Sequence, residues 1–216
     1  MNDQDDLFEI FEGCFDPDTV HICEEQLKEQ QEARSFIENL LTIISYSDEP
    51  GLLMLMCTHL RNIVVERYNS PTNPLTPGQK VLIRSELQVL FYIASGHLPA
   101  LRLIQEVTLC VIRSDFPWKS LGEALDLDFR TQRTAGLYLM MLVIKEYGSG
   151  GFSQEQMVAT VELVEVYLQR LTDLFPKLLR NLNHPSHRGT LYLLMEIFDS
   201  IVQEGIPSYL RNFGHL

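Results

Sequence analysis

Residues 52–114 read LLMLMCTHLRNIVVERYNSPTNPLTPGQKVLIRSELQVLFYIASGHLPALRLIQEVTLCVIRS. Met56, Leu60 and Ile63 recur at helical spacing in its first part, and nothing breaks the run before Asn69. Residues 69–74, NSPTNP, are dense in helix breakers and read as a loop. Thr76 then caps a long helix with Pro77 at its first position, where the missing N–H costs nothing. That helix runs to about Ser95, residues 96–99 turn, and 100–114 is helical again until Asp115-Phe116-Pro117. Helix, loop, helix, turn, helix is the grammar of an all-α chain.

The same grammar continues on both sides. Toward the N-terminus, Leu7, Phe8, Ile10, Phe11, Cys14 and Phe15 form an amphipathic stripe over 5–15, broken by Asp16-Pro17-Asp18. Asp18 or Thr19 caps a helix through Glu32, with Val20, Cys23 and Leu27 inward. A third helix carries Phe36, Ile37, Leu40, Leu41, Ile43 and Ile44 and stops at 47–51. Toward the C-terminus, 118–125 is a short helix, 126–128 a turn and 130–147 a long helix stopped by Gly148-Ser149-Gly150-Gly151. Ser153 caps a helix that is extended, or kinked at Pro176, to about Leu182. Residues 183–186 turn, 187–203 is the last helix, and Gly205-Ile206-Pro207 closes it. No run reads as a strand.

The helices pair across short Asp- or Pro-bearing turns. Five pairs, over 1–32, 33–68, 76–114, 118–147 and 153–213, share the 216 residues at about 43 per pair with connections counted, inside the HEAT/armadillo period. The expected architecture is all-α: a single array over 1–216, a right-handed α-solenoid of about five HEAT-like helix pairs. A compact helical bundle is the alternative. A solenoid of this kind is expected to be the N-terminal part of a longer one.

Charge narrows the class of partner. The 216 residues carry a net −12, but residues 1–49 hold fourteen acidic and two basic side chains, and the remainder is neutral. This asymmetry fits two readings, a solvated acidic helix pair and a docking surface that steers a basic partner. It opposes direct nucleic-acid binding, which needs clustered Lys and Arg. The acidic start has no signal-peptide pattern, and the apolar run over 135–144 is too short for a membrane span. A soluble intracellular protein is expected, with no membrane partner.

The motifs of catalysis are missing. Gly148-Ser149-Gly150-Gly151 lacks the Lys-Ser/Thr of a phosphate loop, and neither GxSxG nor HExxH occurs. Cys14, Cys23, Cys57 and Cys110 sit on apolar helix faces and read as buried thiols. His184 and His187 could share a metal only with a third ligand, and none lies near in sequence, so they read as turn residues. Tyr138-Leu139-Met140-Met141 reads as core. The chain is expected to be no enzyme and to hold no cofactor and no metal.

Several stretches resemble the N-terminal HEAT array of the importin-β (karyopherin-β) nuclear transport receptors. The opening, Leu7-Phe8 through Asp16-Pro17-Asp18 to Cys23-Glu24-Glu25-Gln26-Leu27-Lys28, is similar to the family's apolar helix, D-P turn and A-E-x-x-L-K. Residues 56–64 resemble its A-x-x-x-L-K-N segment, and Asp115-Phe116-Pro117-Trp118 its D-F-P-x-x-W. Arg133 through Leu137 with Lys145-Glu146-Tyr147 resembles a helix of the large importin branch that includes importin-7 and importin-8, whose pattern Ile197 to Val202 and Pro207 continue. The chain departs from the family at Arg61, usually Lys, at Leu53, often Arg, and where Trp118 directly follows Pro117.

The resemblance implies a receptor that binds the small GTPase Ran in its GTP form through inner helices. It also implies basic cargo proteins on the concave side, FG-repeat nucleoporins on outer helices, and shuttling between cytoplasm and nucleus. The inner helices would be 18–32, 52–68, 100–114, 130–147 and 187–203. The candidate Ran contacts are Glu24, Glu25 and Lys28 on the first, Arg61 and Asn62 on the second, and Arg102 and Glu106 on the third, the last two spaced to hold each other or to release onto a partner. A helical-repeat scaffold or adaptor that binds a peptide or subunit independently of nucleotide state is the alternative function. If a further repeat normally covers the C-terminal edge, the face around Leu191, Leu194, Ile197 and Phe198 is expected to be partly exposed and to promote self-association.

Overall fold

A computed structural model describes residues 3–33, 35–131, 134–180 and 182–206. The protein is all-helical, and the described residues include no strand. Among the described residues ten helices follow in order: α1 Asp3–Gly13, α2 Val20–Gln30, α3 Phe36–Tyr46, α4 Pro50–Arg67, α5 Pro77–Ala94, α6 Leu98–Asp115, α7 Lys119–Thr131, α8 Ala135–Gly148, α9 Gln154–Leu179 and α10 Pro185–Gln203. They form two compact units, Met1–Val111 and Ile112–Leu216.

In the first unit, α1 packs on α2, α3 and α4, and α3 packs on α4 and α5. The unit forms around α3, whose Phe36, Ile37, Leu40, Leu41, Ile43 and Ile44 are all buried. A helix apolar on so many sides is stable only when enclosed. From α4, Met56, Leu60 and Ile63 turn inward as their spacing requires, and Leu60 is wholly buried. Gly13 ends α1 at a close approach to α2, where a Cβ would stand 2.5 Å from Cys23 Sγ. The helix expected to run on through Phe15 stops at Gly13, and Phe15 is 56% exposed. Thr19 occupies the N-cap position of α2, but its hydroxyl donates back to Gly13 O at 2.8 Å.

The loop after α4 is tied at both ends. Leu75 N donates to Arg67 O at 3.0 Å, and the Lys80 ammonium stands 4.6 Å from the centre of the buried Tyr68 ring. Thr76 and Gln79 form a reciprocal capping box at the start of α5.

In the second unit, α8 packs on α7, α9 and α10, and α9 packs on α10. Leu137, Leu139, Met140, Met141, Val143 and Ile144 of α8 are buried. Residues 126–128, expected to form a turn, lie within α7. The reason is Asp128, which is buried and accepts from Leu137 N at 3.0 Å, so its carboxylate serves the N-terminus of α8. The long helix expected over 130–147 is accordingly shorter, and α8 starts at Ala135. Arg133, which carried part of the family resemblance, lies outside the described residues, as does Pro207; of the expected close, Gly205 has a positive φ of 70° and Ile206 is buried. Gly136 sits where the two helices meet, since a Cβ there would lie 2.8 Å from the backbone of Ala124 and Leu125.

Glu146 is a further buried charge of this unit. Arg113 donates to it through Nε at 2.7 Å and Nη2 at 3.1 Å, and Ser149 Oγ donates at 2.9 Å. Ser153 and Gln156 cap α9 reciprocally. The Gln156 amide also donates to the carbonyls of Ile112 and Arg113 at the end of α6, groups that have no partner within their own helix. Phe116 meets Trp118 edge-on at 5.9 Å and stacks on Phe152 at 5.7 Å. Pro176 lies inside α9, which continues to Leu179.

The face of α10 differs from the expectation. Leu194 and Ile197 are wholly buried and Leu191 and Phe198 only half so, while Tyr192, Met195 and Val202 are exposed. Half of the stripe read as open, Leu194 and Ile197, is thus covered, and Phe198 meets Phe175 of α9 edge-on at 6.4 Å.

Two substitutions test this packing. Leu60→Ala is expected to lower unfolding stability by about 2–5 kcal/mol in urea titrations, as buried Leu truncations do. Gly136→Ala is expected to cost about 1–3 kcal/mol, because two backbones would have to separate. A loss below about half a kcal/mol at either position would contradict the burial of Leu60 or the close approach of α7 and α8.

Candidate partner-binding surface

The candidate residues lie on α2, α4 and α6, all within the first unit. On α2, burial of Cys23 and Leu27 leaves Glu24, Glu25 and Lys28 exposed. Val20, expected beside them in the core, is only half-buried. On α4, Arg61 is half-buried and Asn62 exposed; on α6, Arg102 and Glu106 are exposed.

Three of the seven side chains meet. Arg61 Nε donates to Glu106 Oε2 at 2.6 Å, and Arg61 Nη1 donates to Asn62 Oδ1 at 3.1 Å. The expected partnership within α6 is thus replaced by one between helices. Glu106 turns to Arg61 rather than to Arg102, because the cross-helix geometry allows a direct Nε–carboxylate contact. The pair is solvent-accessible on both sides, and exposed ion pairs of this kind are worth about 0–1 kcal/mol. It orders the surface cheaply and can be exchanged for a partner's charge at little cost.

Glu24 lies close enough to α4 to act on His59. His59 meets Phe11 of α1 edge-on at 5.3 Å, and its Nδ1 is 3.3 Å from Gln31 Nε2. Burial holds the His59 pKa below its ordinary 6.5, with the Glu24 carboxylate opposing the shift. The neutral ring is therefore a joint between α1, α2 and α4 beneath the acidic face.

Sequence reading missed Arg67. Its Nη1 donates to Gln31 O at 3.3 Å, where α2 ends, and its Nη2 donates to Asn73 Oδ1 at 3.0 Å in the following loop. A basic residue in the last turn of a helix before a breaker-rich loop is the one signal that pointed there.

The acidic quarter also contains two clefts. One, of about 510 Å³, is lined by Asp3, Asp6, Gln26, Glu29 and Asn39, and Asp6 Oδ1 is buried there without a hydrogen-bond partner. The other, of about 430 Å³, lies between the end of α1 and the α3–α4 turn, with Phe8, Phe15 and Tyr46 among its walls. His184 and His187 stand with ring centres 5.1 Å apart, and among the described residues no three His, Cys, Asp or Glu gather as a metal site. Two of the four thiols, Cys23 and Cys57, are buried, and burial pushes Cys57 up to about 12. Cys14 and Cys110 are only partly covered. No helix among the described residues is long and apolar enough to cross a membrane.

The lowered His59 pKa carries a pH dependence with a definite sign. The unfolded chain takes up this proton near pH 6.5 and the folded chain only at lower pH, so the contribution is intact above about pH 6.5 and is lost as pH falls through the folded value. His59→Gln is expected to flatten the fall in stability between about pH 7 and 5 in urea titrations. An unchanged slope would show that His59 does not titrate abnormally. Compared with family models, with curated proteins and with solved structures, the chain matches none.

Proposed function

We propose that the chain is the N-terminal region of a karyopherin-type nuclear transport receptor. It binds Ran in its GTP form and takes part in nucleocytoplasmic protein import. In this reading the ten helices form five HEAT-like pairs of a right-handed α-solenoid that continues in a longer protein. Basic cargo and FG-repeat nucleoporins are further partners, and the protein shuttles between cytoplasm and nucleus. It acts by binding, not by catalysis.

The observation that supports this most is the surface of α2, α4 and α6. Glu24, Glu25 and Lys28 are exposed, and Arg61, Asn62 and Glu106 form one ordered polar cluster across two helices. The acidic excess of residues 1–49 supplies a field that attracts a basic partner. The alternative, a scaffold indifferent to nucleotide state, is favoured by one feature: Arg61 and Glu106 already satisfy each other.

Titration with GTP-loaded and GDP-loaded Ran across a salt series separates the two. The receptor reading expects clear preference for the GTP form. It also expects Glu24→Lys with Glu25→Lys to slow association about tenfold at low salt and to weaken its salt dependence. Equal binding of the two nucleotide states, or unchanged on-rates, would overturn the assignment.

A further inference from the structure

The cleft between the end of α1 and the α3–α4 turn has a chemistry of its own. Its walls are three aromatic rings. Phe8 and Tyr46 stand 6.5 Å apart between ring centres with planes inclined by 32°, so they splay and do not stack. Phe15 lies against the start of α4, within 3.5 Å of where a Cβ on Gly51 would stand. Phe15 and Tyr46 are each more than half exposed, at 56% and 55%. Tyr92 and Tyr192 are as exposed, but Phe15 and Tyr46 differ in lining one cavity together, of about 430 Å³.

The rim is acidic. Glu12, Asp48 and Glu49 line the same cavity, and no Lys or Arg does. Glu49 is committed, because its carboxylate accepts the Leu52 N–H and caps α4, offsetting the positive end of that helix. Glu12 and Asp48 have no ion-pair or side-chain hydrogen-bond partner among the described residues. Ser47, also on the wall, keeps its hydroxyl oxygen buried with no hydrogen-bond partner.

Aromatic faces attract cations through their quadrupoles, and guanidinium both stacks on such faces and pairs with carboxylates in a planar fork. Ammonium is more strongly hydrated and cannot make the planar fork. We propose that this cleft docks an arginine-bearing basic peptide segment, with one guanidinium between Phe8, Phe15 and Tyr46 and its N–H groups directed at Asp48 and Glu12. The net charge of −12 over residues 1–49 selects a basic segment over an acidic or neutral one. The proposal uses none of the seven candidate Ran contacts and stands independently of that reading.

The test is fluorescence anisotropy of a fluorescein-labelled peptide of six Gly-Arg repeats titrated with the full chain at about 0.15 M salt. Two further peptides carry lysine or citrulline, the neutral isostere, in place of arginine. The arginine peptide is expected to bind, the lysine peptide more weakly, and the citrulline peptide not measurably. Phe15→Ala, Tyr46→Ala and Asp48→Asn are each expected to raise Kd about 3- to 30-fold. The double variant Glu66→Gln on α4 with Glu86→Gln on α5 removes more charge, at residues that do not line the cleft, and is expected to change Kd about twofold or less. Asp48→Asn is a near-isosteric change that keeps the test valid if an aromatic truncation unfolds the chain. No binding of the arginine peptide, equal binding of the citrulline peptide, equal binding of the lysine peptide, or an equal loss in the Glu66/Glu86 variant would each overturn the proposal. Because no GTPase is present, these outcomes leave the Ran assignment untouched.

Discussion

Burial of α3 and α8 is the constraint on which both units depend. α8 has almost no polar face, and α3 leaves only the narrow stripe of Glu38, Thr42 and Ser45 to solvent. The neighbours that cover the rest define each unit: α1, α4 and α5 around α3, and α7, α9 and α10 around α8. The surrounding helices are then free to be amphipathic, with one stripe spent on the central helix and the rest available for charge. The candidate surface of α2, α4 and α6 and the acidic clefts exist because the apolar work is concentrated elsewhere.

Much of this order was legible because it is local. Thr76 with Pro77, and Ser153 with Gln156 three residues on, announce helix starts through groups adjacent in sequence. The spacing of Met56, Leu60 and Ile63 fixes an inward face without reference to any other helix. Where the reading failed, the deciding partner was distant. Asp128 looks like a turn residue until the N-terminus of α8 is placed beside it. Glu106 is spaced to meet Arg102, and only the approach of α4 shows that Arg61 takes it instead. Phe15 continues a periodic stripe, but α1 ends two residues before it, at Gly13, where α2 comes close. On α10 the buried and exposed stripes both carry large apolar residues, so periodicity alone could not choose between them.

Electrostatics divides the polar groups into two kinds. Glu146 is enclosed and fully engaged by Arg113 and Ser149, so its charge is a tie between parts of the second unit. The carboxylates of residues 1–49 are mostly exposed, and few have partners of opposite sign. Paired buried charge holds a structure in register, whereas unpaired exposed charge extends into solvent about a Debye length and acts on what approaches. The chain keeps the first kind in its second half and the second kind in its first quarter.

Trp118 is the only tryptophan in the sequence, and it stands against Phe116 within the second unit. The intrinsic indole emission of this protein is therefore an optical reporter of that unit alone. Far-ultraviolet ellipticity, by contrast, sums over the helices of both units. A melt followed by both signals resolves whether the two units lose their order together or in sequence, and neither label nor mutation is needed to read it.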